Sequence, residues 1–393
     1  MSENDPPVNP STDLQLAPSA SSGSAAASPP DLGLPTRSLT QEPRWPHPNL
    51  GWSFLWCLLF IFVTQIPGAV IALVVMGFLA VISPDSLPQG SSIKPAELLK
   101  SEAMNVTLGV VFFITELSVI GFSWLIIRLV VGRDWKRQLA LRMPGLRHIL
   151  LTLASFPAMM LLSNIAYEVL RKVLHVPSFA DFGLPGMEEM VQVSSKWPWG
   201  FAVLVIGLGP GIGEELWCRG FLGRGLVGNY GVVFGVFATS FFFGLIHVDP
   251  CQGAMAMIAG LWLHFVYLTT RSLLLPMLLH TLNNSLAVLD TRFPQLAVIE
   301  TNPSDIPIIV YVSALLLLLG TAFALYQSRA RLAPKVPGQF LIWRPAFEGV
   351  AYPPESSGMK VIHPTPSLAA GLFAGGAFLF FVLACATWFS QGQ

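Results

Sequence analysis

The sequence predicts an all-α protein: a polytopic integral membrane helical bundle of eight or nine transmembrane helices. Hydrophobic residues make up 53% of the chain and charged residues only 11%, which is under half of the roughly 25% usual in soluble domains. A water-soluble globule of this length could not bury so much apolar surface, so part of the surface must face lipid. Apolar stretches of about 20 residues, the length needed to cross the hydrocarbon core, lie near residues 53–82, 105–131, 147–170, 199–225, 231–248, 252–270, 272–290, 307–327 and 367–389.

The charge balance argues against nucleic acid as a partner. The chain holds 22 basic and 22 acidic side chains, so its formal net charge is zero. Nucleic-acid binding needs a basic patch that neutralises phosphates, and the sequence has none. We therefore expect membrane lipids, and no nucleic acid, as partners.

Composition divides the chain into four parts. Residues 1–48 are rich in Ser, Pro and Ala and are predicted to form a disordered N-terminal tail. Residues 49–328 form the transmembrane domain, 329–366 a polar cytoplasmic linker, and 367–393 an additional C-terminal transmembrane helix.

Basic residues in the loops predict the orientation, because cytoplasmic loops carry an excess of Lys and Arg. One basic loop follows the second span and holds Arg128, Arg133, Lys136, Arg137, Arg142 and Arg147. A second follows the eighth span and holds Arg329, Arg331, Lys335 and Arg344. Alternation from these loops predicts a cytoplasmic N-terminus, in a protein expected at the cell membrane.

Glycines in two spans predict special helix contacts. In the fourth span, Gly207, Gly209, Gly211 and Gly213 surround Pro210. This run either breaks the helix and opens a cavity, or permits close packing against a neighbouring helix. In the last span, residues 371–375 form a small-xxx-small face that predicts close approach of another helix.

Two adjacent carboxylates, Glu214 and Glu215, follow the glycine run. An ionisable group at mid-bilayer costs at least about 2.5 to 3.5 kcal/mol, so such a pair must be compensated, face a wet cavity or have a function. Glu215 and Arg219 are spaced i, i+4 and can form an ion pair within the helix. Glu214 lies about 100° away around the helix and is less compensated, which makes it the better candidate for proton exchange.

Further polar residues follow in the next spans. His247 comes directly after a run of apolar residues, and His280 and Asn284 are four residues apart on one helical face. Each alone is typical of an interhelical contact. Together with Glu214 they supply a base, a partner and two oxyanion donors, which is what amide hydrolysis requires. Counted along straight helices, however, His280, Glu214 and His247 lie at roughly 12, 18 and 25 Å depth.

These residues resemble the motifs of a known family, the CPBP intramembrane proteases, which include the CAAX prenyl endopeptidases and the Abi-type or bacteriocin-processing proteins. The EExxxR motif is present at Glu214, Glu215 and Arg219, FxxxH at Phe243 and His247, and Hxxx(N/D) at His280 and Asn284, within a core of about 198–290. The resemblance implies that Glu214 and His247 activate a water, that His280 and Asn284 stabilise the oxyanion, and that Glu215 and Arg219 support the site.

A metal is a separate question. Glu214, His247 and His280 could bind zinc with a water in the open position. The sequence has no HExxH motif, however, and nothing in it forces these three side chains into tetrahedral geometry. We favour a metal-free glutamate-type mechanism, with zinc as the alternative.

Other polar residues in the spans receive a structural interpretation. Glu116 in the second span, Asn164 and Glu168 in the third and His264 in the sixth are interpreted as interhelical hydrogen-bond partners or interfacial groups. Among them, Glu116 is the first candidate for a further role.

The leading functional prediction is an intramembrane endopeptidase that acts on a membrane-associated substrate, with the resemblance suggesting a lipidated, CAAX-type peptide. The alternative is a non-catalytic scaffold or immunity-type protein, in which the same polar cluster holds helices together. Ion or solute transport would also place carboxylates and histidines at mid-membrane. Transporters commonly have paired halves, and the sequence shows no second copy of these motifs.

Overall fold

The computed structural model describes residues 48–82, 102–182, 192–292, 305–335 and 359–391. All of them belong to one compact unit that extends from Trp45 to Gln393. The predicted tail therefore lies outside the described residues except for residue 48, and its predicted disorder stays a prediction.

The described part of the chain is a helical bundle, as predicted. Its long helices are α1 (Leu50–Ile82), α2 (Glu102–Val130), α3 (Leu146–Glu168), α4 (Trp199–Tyr230), α5 (Val232–Leu245), α6 (Pro250–Thr270), α7 (Leu274–Arg292), α8 (Ile308–Gln327) and α9 (Leu368–Gln391). Short helical segments cover Trp135–Gln138, Val169–Val173 and Phe179–Phe182.

Seven of these helices are long and apolar enough to cross a membrane, within the residues that the structure describes. The two shorter ones are α5, with 14 residues, and α7, whose apolar part is Leu274–Leu289. The fifth predicted span, 231–248, extends three residues beyond the helix that the structure shows. Helix α5 ends at Leu245, and His247 lies in the turn that follows. The total of eight or nine crossings stays a prediction.

Helix α4 carries the paired glutamates and does not break at Pro210. It contains two π-helical segments, Val203–Leu208 and Leu216–Leu222, on either side of the α-helical turn Gly209–Glu215. Such π segments within α-helices are frequent at functional sites.

Two glycines of α4 face α7. A Cβ atom on Gly207 would overlap the Ser285 hydroxyl, and one on Gly211 would lie 3.0 Å from the Thr281 backbone nitrogen. Any larger residue would therefore push α7 away. Close packing is the role of the glycine run at this face.

The other two glycines of the run, Gly209 and Gly213, face α2. A Cβ atom on Gly213 would lie 2.5 Å from Val119 Cγ1, and one on Gly209 would lie 2.8 Å from Glu116 Cγ. Helix α4 is thus held tightly between α2 and α7. This packing brings side chains of three helices to one place.

The prediction for the glycines of α9 is wrong. Helix α9 packs on α8 through alanines, among them Ala370, Ala374 and Ala377. Their i, i+4, i+7 spacing puts them on one face, whereas Gly371 and Gly375 lie about 100° away. No described atom lies within 4 Å of a Cβ built on either glycine, so these two positions make no close helix contact.

The segment between α8 and α9 contains a two-stranded antiparallel sheet. Strand β1 (Arg331–Pro334) pairs with β2 (Met359–Ile362), with Arg331 opposite Ile362. Residues 336–358 lie outside the described part. The predicted linker therefore includes regular structure at both of its ends.

Candidate active site

All four residues predicted to be catalytic line one cavity of about 660 Å³. Glu214 comes from α4, His247 from the turn after α5, and His280 and Asn284 from α7. Residues up to 70 positions apart in the chain thus reach a common space. The packing of α4 against α7 brings Glu214 to His280 and Asn284, and the turn after α5 adds His247.

Both histidines face the same carboxylate oxygen. Nε2 of His247 lies 4.0 Å from Oε2 of Glu214, and Nε2 of His280 lies 3.9 Å from the same oxygen. The different depths counted along straight helices are therefore wrong. One reason is that His247 follows the end of the short helix α5 instead of continuing it.

The other ring nitrogen of each histidine has a hydrogen-bond acceptor. Nδ1 of His247 lies 2.7 Å from the Phe243 carbonyl oxygen, and Nδ1 of His280 lies 3.0 Å from Oε1 of Glu215. A carbonyl can only accept, and a carboxylate beside an arginine also accepts, so Nδ1 donates in both rings. In the neutral rings, Nε2 therefore carries a lone pair, and in both histidines this lone pair faces the site at Glu214 and can accept a hydrogen bond.

Glu215 and Arg219 form a fully buried pair. Nη1 of Arg219 donates a 2.6 Å hydrogen bond to Oε1 of Glu215, and both side chains have 0% exposed surface. Nη2 of Arg219 donates to the Gly260 carbonyl of α6 at 3.1 Å. Glu215 thus connects Arg219 to His280, and the pair orients that imidazole from behind.

Phe243, the aromatic residue of the FxxxH motif, lies between Arg219 and the two histidines. Its ring centre is 4.2 Å from the Arg219 guanidinium carbon. Its ring makes edge-on contacts with His247 at 5.1 Å and His280 at 5.6 Å. The position of Phe243 four residues before His247 was the only signal of this role in the sequence.

The Asn284 amide is held in a defined orientation. Nδ2 of Asn284 donates to the Ile206 carbonyl at 3.1 Å, and Oδ1 accepts from Nδ2 of Asn283 at 3.1 Å. Proline at position 210 has no N–H to donate to the carbonyl four residues earlier, which is that of Ile206. Pro210 therefore leaves an acceptor on α4 for Asn284, and sequence analysis missed both Asn283 and this use of Pro210.

The turn that carries His247 is strained and anchored. Val248 has φ +63°, which is unfavourable for a β-branched residue and is found mostly at functional sites. Asp249 caps α6 by accepting from the Gln252 backbone N–H at 2.8 Å. Its second oxygen accepts from the Phe179 backbone N–H at 2.5 Å.

Phe179 belongs to a short segment after α3 that lies against the cavity. This segment is attached by Arg171, which donates two hydrogen bonds to Asp181 at 2.6 and 2.9 Å. The Arg171 guanidinium holds the pKa of the Asp181 carboxyl well below its usual range. Two carboxylates, those of Asp181 and Asp249, thus fix the wall of the cavity next to His247.

Glu116, interpreted from the sequence as an interhelical hydrogen-bond partner or an interfacial group, also lines the cavity. Its Oε2 is buried and has no hydrogen-bond partner among the described residues. This oxygen therefore makes no interhelical hydrogen bond within the described residues. The signal available in the sequence was a carboxylate in an apolar span with no basic residue at i ± 4.

The described residues include no group of three or more His, Cys, Asp or Glu side chains arranged to hold a metal ion. Ligand atoms around a tetrahedral zinc, at about 2.0 to 2.1 Å from the ion, lie roughly 3.4 Å apart. The separations of Glu214 from His247 and His280 are 4.0 and 3.9 Å. In this arrangement the two separations exceed the spacing of zinc ligand atoms by roughly 0.5 to 0.6 Å.

Comparison with known families supports the resemblance drawn from the motifs. Residues 196–286 match the model of the family described as Rce1-like, Type II CAAX prenyl endopeptidase. This match covers less than a quarter of the 393 residues and includes all three motifs. It confirms the resemblance for this segment and supports an intramembrane endopeptidase in general terms. No curated protein and no solved structure matches the chain.

Proposed function

We propose that this integral membrane protein is an endopeptidase that uses water activated by Glu214 and His247 to hydrolyse a peptide bond of a membrane-associated substrate. The observation that carries the proposal is the convergence of a carboxylate and two imidazoles on one cavity, with separations of 3.9 and 4.0 Å. A single water oxygen at about 2.8 Å from each partner can bridge such a separation. The family match over the same residues supports it independently.

In the proposed reaction, this water attacks the scissile carbonyl carbon and Glu214 accepts the proton that the water loses. His247 orients the water, because its Nε2 lone pair faces the site while Nδ1 donates to Phe243. The tetrahedral intermediate then collapses with cleavage of the C–N bond. The proton held by Glu214 passes to the leaving amine, so the products are a carboxylic acid and an amine.

Asn284 and His280 are proposed to stabilise the oxyanion of that intermediate. One amide hydrogen of Asn284 is used by the Ile206 carbonyl, and the second can donate to the oxyanion. His280 can donate from Nε2 only when doubly protonated. Glu215 accepts its Nδ1 hydrogen and orients the ring so that Nε2 faces the site.

The cavity suits a substrate with an apolar chain, such as a prenylated CAAX-type peptide. Its volume of about 660 Å³ lies in the range of small-molecule sites. Helices α2, α3 and α6 contribute apolar side chains to its wall, including Leu108, Val111, Phe112, Met159, Met255 and Leu263. A lipid-modified peptide could enter such a site with its chain buried and its peptide bond near Glu214.

We propose that no metal takes part in this reaction. The test is metal analysis of the purified protein together with cleavage assays in the presence of 1,10-phenanthroline. A glutamate-type enzyme contains no stoichiometric zinc and keeps its rate. Loss of activity with the chelator, restored by added zinc, would instead assign Glu214, His247 and His280 as ligands.

A non-catalytic scaffold is the second candidate, because the same residues do connect helices. Asn284 links α7 to α4 through Ile206, and His280 links α7 to Glu215. A scaffold needs these hydrogen bonds but not a carboxylate at position 214. The two functions therefore differ in what Glu214→Gln does.

The deciding experiment uses the full-length protein in liposomes and a fluorogenic farnesylated CAAX-type peptide. Glu214→Gln keeps the size and polarity of the side chain but cannot accept the proton, so we expect cleavage to fall by about 10² to 10⁴-fold. The matched control is Glu168→Gln, since Glu168 pairs with Lys172 and does not line the cavity. Normal cleavage by Glu214→Gln would rule out the proposed mechanism.

We further propose a cytoplasmic N-terminus and location in the cell membrane, on the basis of the basic loops. Protease protection of an N-terminal epitope tag tests this orientation. The tag should be cleaved only when protease is admitted to the cytoplasmic side. Cleavage of the tag in intact cells would reverse the proposed topology.

A further inference from the structure

Glu116 is a carboxyl group in the cavity that the proposed reaction does not use. It lies on α2, whereas Glu214 lies on α4, and both line the same space. Oε2 of Glu116 is shielded from solvent and has no hydrogen-bond partner among the described residues. A buried polar group without a partner costs free energy, and the Glu116 carboxyl as a whole lines the cavity, so it is a candidate for contact with a ligand.

The packing of α2 against α4 makes room for this side chain. A Cβ atom on Gly209 would lie 2.8 to 2.9 Å from Cβ, Cγ and Oε2 of Glu116. Only glycine at position 209 lets the Glu116 side chain lie across α4. The sequence thus provides space for Glu116 at the wall of the cavity.

The groups around Glu116 favour the neutral, protonated form of its carboxyl. No Lys or Arg is among the described residues that line the cavity, and Glu214 contributes a second carboxyl to the same space. An unpaired ionised carboxylate in an apolar, membrane-embedded site would be strongly unfavourable. A protonated carboxyl can donate one hydrogen bond.

The substrate of a peptidase needs such donors. A peptide that enters an apolar cavity loses the water bound to its backbone carbonyls, and each unpaired carbonyl costs free energy. Several polar groups of the cavity wall are already engaged. Ser163 donates to the Met159 carbonyl, and Asn283 donates to Asn284.

We propose that Glu116, in its neutral form, is a substrate-binding residue that donates a hydrogen bond to a backbone carbonyl of the peptide. This inference rests on the proposed function, because it takes the ligand to be a peptide. Glu116 would act in binding and positioning, and the proton transfers would remain with Glu214. The inference therefore predicts different effects on KM and kcat.

The experiment compares Glu116→Gln and Glu116→Met in full-length protein in liposomes, with the fluorogenic farnesylated CAAX-type peptide as the probe. The Gln amide can donate the same hydrogen bond, so KM and kcat should stay within about 3-fold of the parent protein. Met has a similar length but no donor, so we expect KM to rise about 10-fold, equivalent to about 1.4 kcal/mol, with kcat changed less than 3-fold. Glu168→Met is the control and should change neither constant.

Two outcomes would overturn the inference. One is an unchanged KM in Glu116→Met. The other is an equal loss in Glu116→Gln and Glu116→Met, because an amide donor should replace the carboxyl. If Glu116→Met does not yield folded protein by gel filtration, Glu116→Ala removes the donor without adding contact to Gly209 and takes its place.

A binding measurement separates this inference from the proposed function. If the parent protein cleaves no probe, the endopeptidase proposal fails, and fluorescence anisotropy then measures binding of the same peptide. About 10-fold weaker binding to Glu116→Met, with normal binding to Glu116→Gln, would still support Glu116 as a peptide-binding residue. Equal binding by all variants, or no binding by the parent protein, would overturn it.

Discussion

Arg219 donates a 2.6 Å hydrogen bond to Glu215, and neither side chain has any exposed surface. The same carboxylate oxygen accepts a hydrogen bond from His280. One buried ion pair thus compensates its own charges and also orients a residue of the candidate site. Its removal should affect both stability and activity.

Arg219→Met should destabilise the protein by about 3 to 5 kcal/mol, because it leaves Glu215 as an uncompensated buried charge. Thermal unfolding in detergent measures this effect. The double variant Arg219→Met with Glu215→Gln has no buried charge and should regain most of the lost stability. Equal stability of the single and double variants would contradict a charge-based role for the pair.

Asn284→Ala should lower both activity and stability. Asn284 is the proposed oxyanion donor, and removal of such a donor should reduce kcat by about 10² to 10³-fold. Loss of the donor to the part-buried Ile206 carbonyl should cost about 1 kcal/mol. Peptide cleavage and thermal unfolding are the two measurements.

A second substitution separates these effects. Pro210→Ala supplies an N–H to the Ile206 carbonyl within α4. The double variant Asn284→Ala with Pro210→Ala should therefore regain stability, while its cleavage rate stays low. If Pro210→Ala restored cleavage as well, Asn284 would act on the structure of α4 and not on the oxyanion.

Gly211→Ala should destabilise the protein by about 1 to 3 kcal/mol through overpacking. The added Cβ would overlap the Thr281 side chain and lie 3.2 Å from the Met277 carbonyl. Because His280 precedes Thr281, cleavage should fall together with the melting temperature. Gly371→Ala is the matched control, since it has no described neighbour within 4 Å; a similar loss in both variants would exclude the packing explanation.

A fall in pH should lower the stability that His363 contributes to the folded protein. Partial loss of solvent around the ring, with a smaller effect of the Arg142 charge, lowers the pKa of His363 from its usual 6.5, although the residue keeps exposed surface. The unfolded chain therefore binds a proton at higher pH than the folded chain does. The contribution of His363 to stability is complete above pH 6.5 and is lost as pH falls through the lower pKa of the folded state.

The measurement is the melting temperature in detergent at pH 7.5 and 5.5. His363→Gln should show a smaller decrease between these two values than the parent protein does. His363 packs edge-on against His148 at 5.1 Å, so the substitution alters one contact between the β1–β2 segment and α3. An identical pH dependence in both proteins would show that His363 does not titrate as described.

Much of the site could be predicted because it depends on local geometry. Residues four apart in a helix lie on one face, so Glu215 with Arg219 and His280 with Asn284 were identified as pairs from their spacing. The class of protein followed from composition, because a chain that is 53% hydrophobic and 11% charged must expose apolar surface to lipid. The sequence by itself determined the helical membrane class and the residue types available for catalysis.

The tertiary structure decided which of the candidate site residues lie close together. The distances of Glu214 to His247 and His280 depend on where α5 ends and on how α4 packs between α2 and α7. The glycine run had two interpretations in the sequence, and the contacts of Gly209 and Gly211 with α2 and α7 decided for close packing. Contacts between distant segments depend on the packing of whole helices, which local spacing does not specify. For the same reason, only the folded chain placed Glu116 at the wall of the cavity.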